Sequence, residues 1–335
     1  MDHLEKILKL FKTVFPYEVT SYSKLRGGVS DKLIIRISTN NISIIGIYNE
    51  CIKENEAFIG FTQVFNNLKL NTSRVLHVSE DRKIYYVTDL GKHTLFDIIK
   101  QYSIREELFQ VYKKVIEHLV KFQVFGARAI NFDLCYETRH FDQDQIYLDT
   151  VKFNKYFLIR YLDNNTEVLN NKILNIILEL TVNSTKNYFM YRDFQPRNII
   201  INNNEPYFVD YQSGRLGPPQ YDLISFLYSG SIDITNEERI KLKKHYFNEF
   251  NRFEKMDKDV FFNSLDYFAL LRIIQILGSY SHSYFEKKNI NVLEKIPVAI
   301  NNLQTLNLDN NLDKLRVQIA EMYTTHTSKH QSDSI

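Results

Sequence analysis

Three side chains in the second half of the chain, Asp193, Asn198 and Asp210, have types and a spacing that suit acid–base and metal chemistry. Asp193 follows an aromatic run at residues 187–191, and its carboxylate could accept or orient the proton of an attacking hydroxyl. Asn198 comes five residues later, so one short loop could aim a carboxylate at an acceptor and an amide oxygen at a metal ion. Mg²⁺ prefers hard oxygen ligands and takes one or two of them from protein, which Asn198 and Asp210 could supply. The pattern therefore predicts chemistry on a hydroxyl beside a metal-bound phosphate.

The segment that follows Asn198 predicts a hairpin. Ile199–Ile201 are apolar, Asn202–Asn204 suit a turn, and Pro206–Val209 return as a second strand. This hairpin would carry the second carboxylate back beside the first. A bland alternative exists, because Asp and Asn are the commonest turn residues and a hairpin with an acid at each end needs no function. The combination of residues over the whole segment 191–212 favours a catalytic site over an ordinary turn.

A second candidate site is the stretch Arg26-Gly27-Gly28-Val29-Ser30-Asp31-Lys32, between the first two predicted strands. Glycines let a backbone approach phosphate closely, and the N–H groups there can cradle it. A two-glycine hairpin turn is the alternative for the same string. Its position ahead of the Asp193 segment favours phosphate binding by Gly27, Gly28 and Lys32.

The elements that must position these residues begin with a pattern typical of a small sheet. One helix, three strands, a second helix and two further strands follow one another. Their predicted ranges are 3–15, 23–27, 32–38, 42–48, 51–68, 74–78 and 84–88. Asp89 and Leu90, followed by Gly91, would then form a hinge whose backbone groups could hydrogen-bond an adenine edge.

From residue 94 onward the pattern is helical, apart from the predicted hairpin. The predicted helices are 94–101, 104–124, much of 147–183, 219–229, 236–253, 260–285 and 310–323. The predicted fold class is therefore α+β with two lobes, a small antiparallel-sheet lobe at the N-terminus and a larger, mainly helical lobe after it. The predicted ranges are 1–90 for the first lobe with its leading helix, 91–325 for the second lobe and 326–335 for a frayed polar tail.

The chain resembles the kinase-like phosphotransferases that include aminoglycoside phosphotransferases and choline kinases. Four residues match their catalytic-loop pattern, namely Arg192, Asp193, Pro196 and Asn198. Within this group the sequence is most similar to the branch of N-acetylmuramate/N-acetylglucosamine anomeric sugar kinases. The segments that carry this closer resemblance are residues 45–58, 88–91 (Thr-Asp-Leu-Gly), 191–212 with 215–223, and 277–280 (Leu-Gly-Ser-Tyr). The resemblance implies a protein-kinase-like fold, ATP and Mg²⁺ as cofactors, and catalytic roles for Asp193, Asn198 and Asp210.

The third predicted strand departs from the wider kinase pattern. Protein kinases carry a lysine there, which pairs with the nucleotide phosphates and with a glutamate on the following helix. Residues 42–48 contain neither lysine nor arginine. Glu54 or Glu56 could still occupy the helix position. Arg26 or Lys32 could replace the missing charge, and otherwise nucleotide binding would be weak.

Two arginines are candidates for contact with the substrate. Arg197 lies four residues after Asp193, and Arg215 lies in the segment after Asp210. A guanidinium suits a carboxylate or phosphate in a two-pronged contact, which would fit an acidic sugar such as N-acetylmuramate. A structural ion pair within the loop is an equal alternative. Asp222, near the start of a predicted helix, is interpreted as a cap or as a support for the loop.

Composition narrows the remaining classes of protein. The 335 residues are 44% hydrophobic and carry a net charge of +2, so the chain can bury a sizeable core and has no basic field for nucleic acid. Two cysteines and nine histidines show no metal-ligand spacing. The start does not have the pattern of a signal peptide, and no apolar run reaches the roughly 20 residues of a membrane span. We expect a cytoplasmic enzyme with a small-molecule partner and no membrane or nucleic acid, with the oligomeric state left open.

The resemblance implies a kinase that transfers the terminal phosphoryl group of ATP to a hydroxyl of a sugar or amino sugar, including the anomeric hydroxyl. Fold does not choose among acceptors, so an aminoglycoside or a choline-type alcohol is an alternative. A nucleotide-binding pseudokinase with a regulatory role is a second alternative, and the missing lysine of the third strand supports it.

Overall fold

A computed structural model describes residues 2–25, 32–165, 169, 171–181 and 187–332 of the chain. Residues 330–332 are described as backbone only. The chain forms two compact units. The first comprises Met1–Arg139 and Tyr191–Arg215, and the second comprises His140–Met190 and Leu216–Ile335. Those predicted catalytic, cofactor and substrate residues that the structure describes belong to the first unit. The lobe boundary predicted between residues 90 and 91 stays a prediction.

The first unit contains a five-stranded antiparallel sheet with the order β1-β2-β3-β5-β4. Its strands are β1 Val19–Lys24, β2 Leu33–Thr39, β3 Ser43–Tyr48, β4 Val75–Val78 and β5 Ile84–Thr88. Alternation along β2 points Ile35 and Ile37 to one face, where Ile7 and Phe11 of helix α1 (His3–Val14) cover them. The predicted small antiparallel sheet is confirmed.

The helices of the first unit lie close to their predicted positions. After α1 they are α2 Ile52–Asn67, α3 Leu95–Ile98 and α4 Arg105–Ala129. A capping box between Thr94 and Asp97 explains where α3 begins. The clearest difference from the pattern is β1, which is predicted from Ser23 but begins at Val19. This strand forms the edge of the sheet with most of its side chains exposed, so it lacks the apolar alternation that reveals a buried strand.

The predicted hairpin is present in the first unit. It consists of β7 Ile199–Asn202 and β8 Glu205–Phe208. The turn residues Asn203 and Asn204 have φ angles of 50° and 59°. Asparagine tolerates this left-handed region better than most residues because its short side chain can hydrogen-bond locally. Phe208 N donates to the backbone oxygen of Asn71 at 2.9 Å, which ties the hairpin to the segment before β4.

The second unit is mainly helical, as predicted for the later part of the chain. Its elements are α5 Gln143–Lys152, a π-helix Phe153–Tyr161, α6 Asn171–Leu180, β6 Tyr188–Met190, β9 Arg215–Gly217 at the division, α7 Gln220–Leu227, α8 Asn236–Asn251, α9 Lys258–Lys287, α10 Lys295–Gln304 and α11 Asn310–Ser332. Helix α9 carries fully buried side chains such as Phe268, Leu270 and Ile273. By length and composition alone α9 could cross a membrane, but 67% of its apolar window is buried in the protein, as in a core helix.

Three features of the second unit differ from the predicted pattern. The stretch 147–183 is divided among α5, the π-helix and α6. Helix α10 has no counterpart among the predicted helices; Pro297 lies in its first turn, where proline is tolerated. Helix α11 extends to Ser332, beyond the range 310–323 predicted for it. In this extension the hydroxyls of Thr324 and Ser328 donate to carbonyls one turn earlier and are satisfied within the helix.

Candidate active site

The segment before β7 fixes Asn198 against Asp193. Residues Pro196–Asn198 form a short 3₁₀ turn. The side chain of Asn198 folds back, and its Nδ2 donates to the backbone oxygen of Asp193 at 2.9 Å. Arg192, directly before Asp193, has a φ of 74°, which a non-glycine residue keeps only where its surroundings hold it. The loop is therefore set in one strained conformation that orients both predicted site residues.

The hairpin brings Asp210 back to Asn198. Nδ2 of Asn198 donates to Oδ2 of Asp210 at 3.2 Å. The backbone beside them is also paired, since Val209 N donates to Asn198 O at 3.1 Å and Tyr191 Oη donates to Val209 O at 2.5 Å. Asp210 has a φ of 69°, a second strained position. Local strain in both segments indicates a functional site more than an ordinary turn.

Lys32 forms an ion pair with a glutamate of α2, the contact that a lysine on β3 would make in a protein kinase. Its Nζ lies 2.5 Å from Oε1 of Glu54 on α2, and the two side chains are only 8% and 12% exposed. Glu56 instead pairs with Arg82 on the surface, where the side chains are 40% and 49% exposed. Glu54 is therefore the inward glutamate of α2. Arg26, Gly27 and Gly28 lie outside the described residues, so the predicted phosphate cradle stays a prediction.

Gln212 connects this ion pair to the hairpin. Its Nε2 donates to Oδ1 of Asp210 at 2.7 Å and to Oε1 of Glu54 at 3.2 Å. The other oxygen of Glu54 accepts from Asn49 Nδ2 at 2.8 Å. A continuous hydrogen-bonded network thus runs from Lys32 through Glu54, Gln212 and Asp210 to Asn198.

The predicted hinge is held by a buried ion pair. Arg36 on β2 donates from Nε and Nη2 to the Asp89 carboxylate at 2.6 and 2.9 Å, and from Nη2 to Gly91 O at 2.6 Å. Ser43 Oγ donates to the same carboxylate at 2.7 Å. Burial alone would raise the pKa of Asp89, but these hydrogen bonds outweigh it and lower that pKa. The Asp89 side chain thus has a structural role, so a contact with nucleotide at Asp89 or at the buried Leu90 would use the backbone.

The two candidate substrate arginines lie in opposite environments. Arg197 is exposed, and its guanidinium carbon lies 4.2 Å from the centroid of the Phe96 ring. Arg215 is fully buried and donates to the Glu137 carboxylate, to Thr138 Oγ1 at 2.5 Å and to a backbone oxygen. Arg215 thus forms a structural ion pair, although its partner Glu137 lies outside the loop in which the alternative interpretation placed such a pair. The substrate roles of both arginines stay predictions.

Glu137 carries the electrostatic link between Arg215 and the Asp193 loop. Burial by itself would raise the pKa of Glu137, but the positive charges of Arg192 and Arg215 outweigh burial and lower that pKa. The carboxylate therefore stays ionised at neutral pH beside the strained Arg192.

Two residues of the site were missed by sequence reasoning. Arg36 has the strand alternation of β2 but no motif around it, so its partner Asp89 could not be foreseen. Gln212 is the last residue of the segment 191–212 that contains Asp210, yet nothing in its spacing indicates a hydrogen bond to Glu54 of α2. Asp222, considered as a cap, is buried within the first turn of α7, whose N-cap residue is Pro219.

The donor atoms at Asn198 and Asp210 fit a divalent cation such as Mg²⁺. The NH₂ group of Asn198 donates to Asp193 O and to Asp210, which leaves its amide oxygen as a hard donor. The Asp210 carboxylate adds the negative charge that such an ion needs. Each donor group is held by further hydrogen bonds, as is usual for metal-binding side chains.

Protein-kinase-like phosphotransferases combine three features that this chain also has. They are a five-stranded sheet, a helix with an inward glutamate paired to a lysine, and a loop and hairpin that carry two aspartates and an asparagine. The fold therefore defines this class, and the sequence comparison agrees. The chain belongs to the family described as APH, phosphotransferase enzyme family, whose model matches residues 53–256. It is accordingly a phosphotransferase with an alcohol group as acceptor.

Individual relatives are distant. The chain is 20% identical over 244 residues to the N-acetylmuramate/N-acetylglucosamine kinase of Neisseria meningitidis, a match that covers 70% of each chain. Among solved structures, it is similar to the choline kinase LicA of Streptococcus pneumoniae, with a TM-score of 0.61, 15% identity, and coverage of 91% of this chain and 100% of the other. Similarity to the amicoumacin kinase hAmiN in complex with AMP-PNP, Ca²⁺ and Ami gives a TM-score of 0.65 at 9% identity, over 96% and 94% of the chains. These structures confirm the predicted kinase-like fold.

Proposed function

We propose that this protein is a Mg²⁺-dependent kinase that transfers the terminal phosphoryl group of ATP to a hydroxyl of a sugar or amino sugar. The observation that carries the proposal is the hydrogen-bonded network from Lys32 to Asn198. It joins a buried cation, two carboxylates and two amides within one compact unit. Because phosphoryl transfer depends chiefly on positioning and on charge, such a network supports an active enzyme.

Each residue then has a distinct part in the reaction. The Asp193 carboxylate orients the acceptor hydroxyl and takes its proton as the new oxygen–phosphorus bond forms. The bond between the terminal phosphorus and the bridging oxygen breaks at the same time, and ADP leaves. Lys32, held by Glu54, stabilises negative charge on the nucleotide phosphates. Asn198 and Asp210 would hold Mg²⁺, and when bound this ion would neutralise further charge on those phosphates.

An amino sugar is the acceptor that the similarities favour. The relative from Neisseria meningitidis is named as a kinase of N-acetylmuramate and N-acetylglucosamine, and the match extends over 70% of this chain. The exposed Arg197, stacked on Phe96, presents a planar guanidinium to solvent, and such a group suits a carboxylate. N-acetylmuramate carries a carboxylate, whereas choline and aminoglycosides are cations.

The pseudokinase alternative loses its main support. It rested on the absence of a lysine from β3, yet Lys32 forms the ion pair with Glu54 that such a lysine would make. A protein that only senses nucleotide would not need the oriented loop with Asp193 as well.

Release of ADP from ATP and Mg²⁺ tests the proposal, with N-acetylmuramate, N-acetylglucosamine, simple hexoses, kanamycin and choline as separate acceptors. We expect sugar-dependent release, lowered by about 10²–10⁴-fold in Asp193→Asn while stabilisation by ATP is retained. Release with kanamycin or choline alone would replace the sugar by a cationic acceptor. Stabilisation by ATP without release on any acceptor would favour the pseudokinase.

A further inference from the structure

Gln212 occupies a position between the two halves of the charged network. The residue is only 6% exposed. A single NH₂ group donates both of its hydrogen bonds to carboxylates, one on Asp210 and one on Glu54 of α2. An amide NH₂ has two donors, so both are used by anions on different elements.

The chemistry of this arrangement depends on a neutral donor. Hydrogen bonds from an amide to an ionised carboxylate are charge-assisted and stronger than neutral ones. Glu54 is already compensated by Lys32, whereas Asp210 accepts only from the amides of Gln212 and Asn198 among the bonds resolved for its side chain. Gln212 therefore fixes one oxygen of Asp210 without adding a cation that would compete with a metal ion.

We propose that Gln212 is a positioning residue that fixes the Asp210 carboxylate relative to the Lys32–Glu54 pair. The proposal rests on the proposed function, because that function assigns Lys32 to the phosphates and Asp210 to the metal ion. Gln212 would fix the positions of these two side chains relative to each other. Without Gln212, Asp210 would sample other rotamers, and the metal ion and the phosphates would be held less well together.

A neighbouring contact supplies a matched control. The hydroxyls of Thr62 on α2 and Tyr211 share a hydrogen bond of 2.6 Å, and both residues are fully buried. This bond also ties α2 to the Asp210 segment, but it touches neither Asp210 nor Glu54 directly. If Gln212 had a purely structural role, loss of its hydrogen bonds and loss of the Thr62–Tyr211 hydrogen bond would have equivalent effects.

The experiment compares Gln212→Met, which is similar in size and donates no hydrogen bond, with Gln212→Asn and with Thr62→Val. The melting temperature is measured against MgCl₂ at fixed ATP, and kcat and KM for ATP are measured beside it. We expect Gln212→Met to raise the MgCl₂ concentration for half-maximal stabilisation about tenfold. Gln212→Asn, which keeps the amide on a shorter side chain, should give a smaller rise. Thr62→Val should lower the melting temperature without that rise.

Two results would overturn the inference. One is an unchanged Mg²⁺ requirement in folded Gln212→Met and Gln212→Asn, and the other is an equal rise in Thr62→Val. Failure of the proposed function looks different, because the unmodified protein would then release no ADP with any acceptor. If it also showed no stabilisation by ATP and Mg²⁺, the inference would fall with the proposed function.

Discussion

At the residue scale, Lys32 is the predicted site residue for which the structure supplies a partner on α2. It lies just before β2, yet it pairs with the glutamate of α2 that a lysine of β3 would otherwise meet. We expect Lys32→Met to raise KM for ATP and lower kcat, with a combined loss of at least about tenfold, because the substitution removes the buried charge that the proposed function assigns to the phosphates. Steady-state ADP release measures both constants.

The matched control for this prediction is Lys83→Met. Lys83 also pairs with a glutamate at 2.5 Å, but its partner Glu50 is 60% exposed and the pair lies on the surface. Exposed pairs contribute little, so this variant should keep the kinetic constants of the unmodified protein. Equal losses in the two variants would show that Lys32 has no particular role.

Arg215 allows its two interpretations to be separated at the same scale. Lys keeps the charge but cannot reproduce the guanidinium contacts to Glu137, Thr138 and Ser213. We expect Arg215→Lys to lower the free energy of unfolding by about 1–3 kcal/mol, as measured by urea denaturation. A normal unfolding free energy combined with a raised KM for an acidic acceptor would instead assign Arg215 to the substrate.

At the element scale, the contact between α9 and the π-helix depends on Gly278. A Cβ at this position would lie 2.8 Å from Phe153 N and 2.9 Å from Phe153 Cα, which are backbone atoms that cannot move cheaply. Alanine is the better helix former, so propensity alone predicts stabilisation by about 1 kcal/mol. We expect the steric clash to prevail, and Gly278→Ala to lower the unfolding free energy by about 2 kcal/mol.

Gly60 on α2 provides the comparison for that prediction. Its Cβ would approach only the end of the Leu134 side chain, at 2.6 Å from Cδ1, and that side chain can rotate away. Gly60→Ala should therefore change stability by less than about 1 kcal/mol in urea denaturation. The argument about backbone contact fails if Gly278→Ala is as mild as Gly60→Ala.

At the scale of the whole molecule, stability should depend on pH through His118 of α4. Burial, helped by the nearby Lys121, lowers the pKa of His118 to about 4. The unfolded chain, with a pKa of about 6.5, binds the proton first, so stability is lost as the pH falls from about 6.5 toward 4. The loss attributable to His118 should reach about 2–3 kcal/mol at the acid end of this window.

The measurement is urea denaturation at several pH values from 7.5 down to 4.5. Many carboxylates also titrate here, so the informative quantity is the difference between the unmodified protein and His118→Phe. Phenylalanine can keep the ring contact with Phe208, whose centroid lies 5.6 Å away. The variant should lose less stability than the unmodified protein as the pH falls, and parallel curves would rule out His118 as a source of the pH dependence.

Much of the fold was predictable because it depends on local patterns. Alternation in β2 and β3, helical spacing in α2 and α4, and the asparagine turn of the hairpin all act over a few residues. The edge strand β1 and helix α10 were not predicted in full. In β1 the side chains are exposed, and in α10 a proline occupies the tolerant first turn.

The sequence by itself determined the loop and hairpin that bring Asp193, Asn198 and Asp210 together, because the eighteen residues of continuous chain from Asp193 to Asp210 and one tight turn suffice for that. Only the tertiary structure decided that Lys32 pairs with Glu54 and that Gln212 joins this pair to Asp210. These partners are 22 and 158 residues from Glu54 in the chain. Their meeting depends on how the sheet, α2 and the hairpin pack, and no local spacing encodes that packing.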